Sequence, residues 1–254
     1  MRWRESDGVR WLEAELGAAR AAFSTRLGGV SEGPFAELNL GVLTDDDRDT
    51  VAENRRRLAA ALDLAPELVV IGRQVHGAEL ATHARAQEPS PYAVPGSAIP
   101  EVDGHAIPAS GGAGPRPAAA LVFVADCLPV ALAGPGGVAM LHCGWRGLAA
   151  GILARGAGAV GATDAAIGPG IGPCCYEVGD EVLAALSPIG PGIAAGRMLD
   201  LAEAARRLLA EAGVERVESA GLCTSCEEEL FFSHRRDRGT TGRQAGVVLP
   251  REGG

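Results

Sequence analysis

The 254 residues are enough for one large domain or two small ones, and a 47% hydrophobic content is that of a chain that buries a core. With 23 basic against 32 acidic side chains the net charge is -9, which argues against a nucleic-acid or anionic-membrane partner. Every basic residue is arginine, so the chain has no lysine for a Schiff base or for a Walker-type phosphate loop.

The opening MRWRESDGVRWLEAEL has no uninterrupted apolar stretch and no small-residue cleavage site, so no signal peptide is expected. No later window approaches the ~18 apolar residues of a membrane span. The expected state is a soluble, cytoplasmic protein with reduced cysteines. Strand-like runs are expected at 20–25, 67–77, 119–127, 129–134, 137–143, 164–168 and 244–249. Helical periodicity predicts helices at 51–64, 147–162, 179–187 and 199–213. The two element types alternate without a regular βαβ period. The expected fold is therefore α/β with mixed layers, in a single domain over 1–254, rather than a Rossmann unit or barrel. The Pro-, Gly- and Ser-rich segments 87–100 and 108–117 read as exposed loops.

Glycine and cysteine motifs fail on spacing. Gly156, Gly158 and Gly161 match G-x-G-x-x-G but lie late in a helical segment, away from a strand-to-helix turn, and GPGIGP ends in Pro173. Cys223 and Cys226 form a C-x-x-C, but Cys174 and Cys175 are adjacent and lack the spacer of a second knuckle. These four are read as core or loop cysteines. No histidine is followed two residues later by glutamate, so the zinc-deaminase signature is missing.

Chemistry concentrates instead at strand ends. QVHG carries His76, VADC carries Cys127, and LHC carries His142, each closing an apolar run. Two mechanisms fit. The three can bind zinc with a fourth position open to water or substrate, or Cys127 can be a thiolate nucleophile with His142 as its base. Strand alternation turns Asp126 away from Cys127 and Cys143 away from His142, which makes Cys143 a small core residue. Gly144-Trp145-Arg146-Gly147 reads as a turn into a helix beginning near Leu148. There Arg146 is either an anion contact or a solvated turn residue. Arg235, Arg236 and Arg238 lie in a basic loop with His234, which ranks behind the other three as a ligand. His83 and His105 are expected to be solvated in polar loops.

Taken together, STRLGGVSEGPFAELNLG, QVHG, VADCLPV, HCGWRG, GPGIGPCCYEVG, MLDL, GLCTSC and FFSHRRDRGTTGRQAGVV resemble the YfiH/YlmD or laccase-domain family, in order from about 20 to 248. The resemblance implies a mixed α/β layered fold, distantly like that of the cytotoxic necrotizing factor deamidase toxins. It implies one zinc held by His76, Cys127 and His142, with Arg26, Asn39 and Arg146 as substrate or phosphate contacts. The implied activity is phosphorolysis of adenosine, inosine and methylthioadenosine, accompanied by adenosine deamination; no nucleic acid or membrane is involved. An alternative described for some members is a peptidoglycan editing amidase that removes misincorporated serine from muropeptide precursors through the Cys/His pair. The family usually has alanine where this chain has Cys143. Copper, which the laccase label carries, is not expected as the native metal. The type 1 and trinuclear centres of a multicopper oxidase draw on more histidines than the five present.

Overall fold

The computed structural model describes residues 1–17, 19–110 and 114–251. Its strands are β1 (Arg2–Ser6), β2 (Val9–Leu16), β3 (Ala19–Ser24), β4 (Val69–Val70), β5 (Leu80–Thr82), β6 (Gly104–Pro108) and β7 (Ala119–Val124). They continue as β8 (Leu128–Gly134), β9 (Gly137–Cys143), β10 (Asp164–Ile167), β11 (Ala194–Ala195), β12 (Met198–Leu199), β13 (Arg216–Ser219) and β14 (Gln244–Pro250). The helices are α1 (Arg48–Ala61), α2 (Trp145–Ala149), α3 (Ile152–Val160), α4 (Asp180–Leu186) and α5 (Leu201–Glu211).

The strands form two six-stranded mixed sheets, ordered β1-β2-β3-β14-β7-β4 and β13-β10-β8-β9-β6-β5. Side-chain alternation explains how they stack. On β7, Ala120, Val122 and Val124 point to the space between the sheets, where they meet Ala131 and Ala133 of β8, Met140 of β9 and Ala166 of β10. Small alanines on this face let the sheets approach closely. The other face of the first sheet, through Leu121, Val247 and Leu249, packs on Leu58 and Leu62 from α1 and its C-cap. The other face of the second sheet, through Val130, Leu132 and Leu141, packs on Ile152 and Leu153 of α3 and Leu209 of α5. Each such fully buried aliphatic side chain contributes about 1.5–3 kcal/mol. The result is a helix–sheet–sheet–helix stack, the mixed α/β layering expected.

Three local expectations change. The run 67–77 keeps only two strand residues, Val69 and Val70. Beyond it the chain leaves the first sheet for β5 of the second. The helix expected over 147–162 is two helices, α2 starting at Trp145 and α3 at Ile152. They are broken at Gly151, whose φ of 84° only glycine adopts without strain. His83 and His105 are not solvated: both are buried and their rings share a 3.0 Å hydrogen bond. His105 belongs to β6, which pairs with β9 on one side and β5 on the other. The short GHAIP run after Asp103 shows no apolar alternation that would mark it as an inner strand. β1 and β2, which precede the region of family resemblance, extend the first sheet antiparallel from β3.

Candidate metal centre

The site lies at one end of the seam between the sheets, and the chain path explains why. Between β4 and β5 the chain passes from the first sheet to the second, and His76 is on that connection with φ 59°. Between β7 and β8 it makes the same passage, and Cys127 is on that turn, next to Asp126 with φ 89°. His142 is two residues beyond Met140 on β9, so it continues the inter-sheet face to its open end. The β8–β9 pairing, with Pro129 opposite His142 and Leu128 opposite Cys143, brings Cys127 alongside His142. One ligand atom from each of His76, Cys127 and His142 lies within 4.8 Å of the others. The two imidazole rings stand edge to face at 4.9 Å. Cys143 points the other way, fully buried among Leu128, Leu148 and Ile152.

A carboxylate absent from the sequence-based candidates organises the cluster. Asp103, fully buried just before β6, accepts from His142 Nδ1 at 2.8 Å and from the backbone N–H groups of Val75, His76 and Gly77 at 3.1, 2.9 and 2.7 Å. Its own carbonyl accepts from the His142 backbone N–H at 2.7 Å. One carboxylate thus positions both histidines and leaves His142 Nε2 for the cluster. A ligating imidazole held through its other nitrogen by a carboxylate is the usual outer shell of a metal site. A side chain at Gly144 would crowd the cluster, since a Cβ there would lie 3.0 Å from Cys127 Sγ and 3.3 Å from His76 Cδ2. Burial alone would raise the Cys127 thiol, but His142 and His76 bring it down to about 6. Burial alone would lower His142, but Cys127 and Asp103 raise it to about 9. A deprotonated thiol between two imidazoles, with a carboxylate behind one of them, is a donor set that suits zinc with a fourth position open.

The cluster opens into a cavity of about 870 Å³ that Arg146, Phe123, Trp145, Tyr176, Arg235 and Arg243 also line. Arg146 stacks on Trp145 and Arg235 on Tyr176, at 4.3 and 5.2 Å from the ring centroids. His234 is on the wall too, outside the ligand cluster. The other two residues expected as substrate contacts, Arg26 and Asn39, are not among the side chains that line the cavity. Arg26 bonds the carbonyls of Ala36 and Glu228 and stacks on Phe232. Asn39, fully buried, accepts from the N–H of Gly41 and of Arg243, and so positions two wall residues. Arg243, Tyr176 and Gln74 also line the cavity and were not singled out in the sequence, because nothing local in TTGR, CCYE or QVHG marks which side chain faces a cavity. Arg236 is structural, bonding the carbonyls of Thr224 and Phe231.

The stack of two mixed sheets is a fold that solved structures of similar sequence share. Residues 20–251 match the family described as multi-copper polyphenol oxidoreductase laccase, and the chain belongs to this family, that of YfiH and YlmD. The chain is 42% identical to the purine nucleoside phosphorylase YlmD of Geobacillus stearothermophilus, over 95% of each. It is 38% identical to the purine nucleoside phosphorylase YfiH of Escherichia coli strain K12, over 90% of this chain and 92% of that one. The crystal structure of YlmD from Geobacillus stearothermophilus superposes with a TM-score of 0.84 and covers 98% of both chains. No helix among the described residues is long and apolar enough to cross a membrane.

Proposed function

We propose that the chain is a zinc-dependent purine nucleoside phosphorylase that also deaminates adenosine. The observation that carries this reading is the His76–Cys127–His142 cluster at the base of a cavity walled by arginines and aromatic rings. The names of its relatives support the same reaction. His76, Cys127 and His142 would hold the zinc, which when bound supplies Lewis acidity and lowers the pKa of a bound water. Phe123, Trp145 and Tyr176 offer flat apolar faces to a purine and keep water from it. Arg146 and Arg243 bring positive charge to the same cavity and orient phosphate. A phosphate oxygen then forms the bond to ribose C1′ as the bond from C1′ to the purine nitrogen breaks. The purine leaves with that electron pair and takes up a proton.

The test is release of adenine from adenosine. It should require phosphate, stop on chelation and return on adding zinc; activity that survives complete zinc removal overturns the proposal. An Arg146→Ala chain should show about a tenfold higher KM for phosphate, the loss of one charge-assisted contact, with a smaller change in kcat. An unchanged KM would place the anion on Arg243 or Arg235 instead.

One observation favours a second reading, a Cys127/His142 amidase acting on a muropeptide precursor. The thiol held near 6 beside an imidazole held near 9 describes a thiolate–imidazolium pair in the metal-free chain. Lowering the thiol pKa favours the anion, so the alkylation rate of Cys127 in stripped protein should rise as pH rises through about 6 and be near its plateau at neutral pH. Iodoacetamide labelling followed by mass spectrometry measures this. The amidase reading holds only if a UDP-linked muramoyl-serine is cleaved, chelators leave that activity intact, and alkylation abolishes it.

A further inference from the structure

The four cysteines whose spacing matches no zinc motif come together in space. The Sγ atoms of Cys174, Cys175, Cys223 and Cys226 all lie within 4.8 Å of one another, in a cluster separate from that of His76, Cys127 and His142. Cys226 Sγ is 3.4 Å from Cys174 Sγ and 3.5 Å from Cys175 Sγ. Zinc–thiolate bonds of about 2.3 Å in a tetrahedron place sulfurs about 3.8 Å apart, so small side-chain shifts close such a shell. We propose that these four thiols form a second, structural zinc site.

The backbone is built for it. The loop after β10 and the turn after β13 pair through a parallel bridge at Gly170 and Cys223, and Thr224 N–H donates to Gly170 carbonyl at 3.0 Å. Cys226 N–H donates to Cys223 carbonyl at 3.1 Å, which closes the Cys-Thr-Ser-Cys turn into one knuckle. Gly172 N–H donates to Cys223 Sγ at 3.2 Å, the kind of bond that steadies a thiolate. At Gly172 a Cβ would lie 3.2 Å from Cys223 Cβ and 3.3 Å from Cys174 Sγ, so glycine keeps the second half of the shell open. Apolar packing does not account for the cluster. Cys174 and Cys226 are exposed and Cys175 and Cys223 are only partly covered, whereas the core cysteine, Cys143, is fully buried. Four converging thiols repel one another once ionised, and a soft divalent cation removes that repulsion.

The placement gives the site a consequence for the cavity. Thr224, inside the knuckle and fully buried, donates its hydroxyl to Asp126 Oδ1 at 2.7 Å; Asp126 Oδ2 accepts from Arg235 N–H at 2.7 Å. Asp126 immediately precedes Cys127, and Tyr176 on the cavity wall immediately follows Cys175. Zinc at the four thiols would clamp two loops whose thiols are 52 residues apart in sequence and so steady the turn that presents Cys127.

The test separates the two sites and does not depend on the reaction. Full-length protein purified with zinc under reducing conditions should carry two zinc ions per chain by elemental analysis, and a Cys174→Ser/Cys226→Ser chain should carry one. A Cys127→Ala chain should keep the surface ion and, loaded with cobalt, show the thiolate-to-metal charge-transfer absorption of a tetrathiolate site. This second readout stands if the double variant fails to fold. The proposal is overturned if Cys127→Ala protein binds neither zinc nor cobalt. It is equally overturned if wild-type and double-variant chains bind the same number of ions, or if mass spectrometry of the reduced preparation finds Cys226 in a disulfide with Cys174 or Cys175.

Discussion

A Cys127→Ala chain is expected to lose the seam metal and phosphorolysis together, with kcat/KM for adenosine falling on the order of a thousandfold. The reason is that, in the proposed site, Cys127 would be the anionic donor beside two imidazoles, and it lies on the turn where the chain crosses from one sheet to the other. Two neutral imidazoles retain the ion poorly, and Lewis acidity worth several kcal/mol goes with it, about a factor of ten in rate for each 1.36 kcal/mol. Elemental analysis and initial rates measured on the same sample check the result. Its unfolding midpoint should stay near that of the parent, because the change removes a cavity-wall thiol and leaves the packing between the sheets intact. A variant that keeps the ion but loses activity would instead support the nucleophilic thiol of the amidase reading.

Asp103→Asn should be the most damaging change outside the ligands. The carboxylate accepts four hydrogen bonds, one from His142 Nδ1 and three from the backbone of the His76 loop. Burial alone would raise its pKa, but these bonds hold it below the ordinary carboxylate range, so it stays ionised in the fold. Its stabilising effect is therefore present above the ordinary carboxylate pKa and is lost only as acid protonates it in the folded state. Asparagine turns an NH2 group toward donors, leaving at least one buried N–H unpaired at a cost of about 1–3 kcal/mol. It also frees the His142 ring, and losses of such outer partners lower metal affinity about 10–100-fold. Competition with a chromophoric chelator measures the affinity, and urea unfolding measures the stability. Wild-type metal affinity in this variant would show that the His142–Asp103 bond does not orient the ligand.

Much of the chemistry was legible without coordinates because strand alternation is a local rule. His142 and Cys143 must face opposite sides of β9, and the fold turns one to the seam and the other into the helix-packed core. Composition carried a narrower reading: without lysine the chain can form no Schiff base through a side-chain amine and has no Walker-type lysine.

What the chain could not announce is which separated residues meet. Asp103 sits in an unremarkable EVDGHA segment, and only the pairing of β6 with β9 brings its carboxylate to His142. His105, read as a solvated loop residue, is fully buried because that same short strand has a neighbour on each side. Arg26 and Asn39 belong to the motifs that carry the resemblance but do not line the cavity, while Arg243 does. The cysteine pair at 174–175 fails every spacing rule for a zinc knuckle, since such rules describe one continuous segment. Here the partners come from loops after β10 and β13, brought together by parallel pairing of those two strands. Local periodicity therefore determined the strand faces, the layer class and which histidines and cysteines close the apolar runs. Tertiary structure decided the carboxylate behind them, the arginines around them and the four-thiol cluster, because each depends on contacts between residues far apart in the chain.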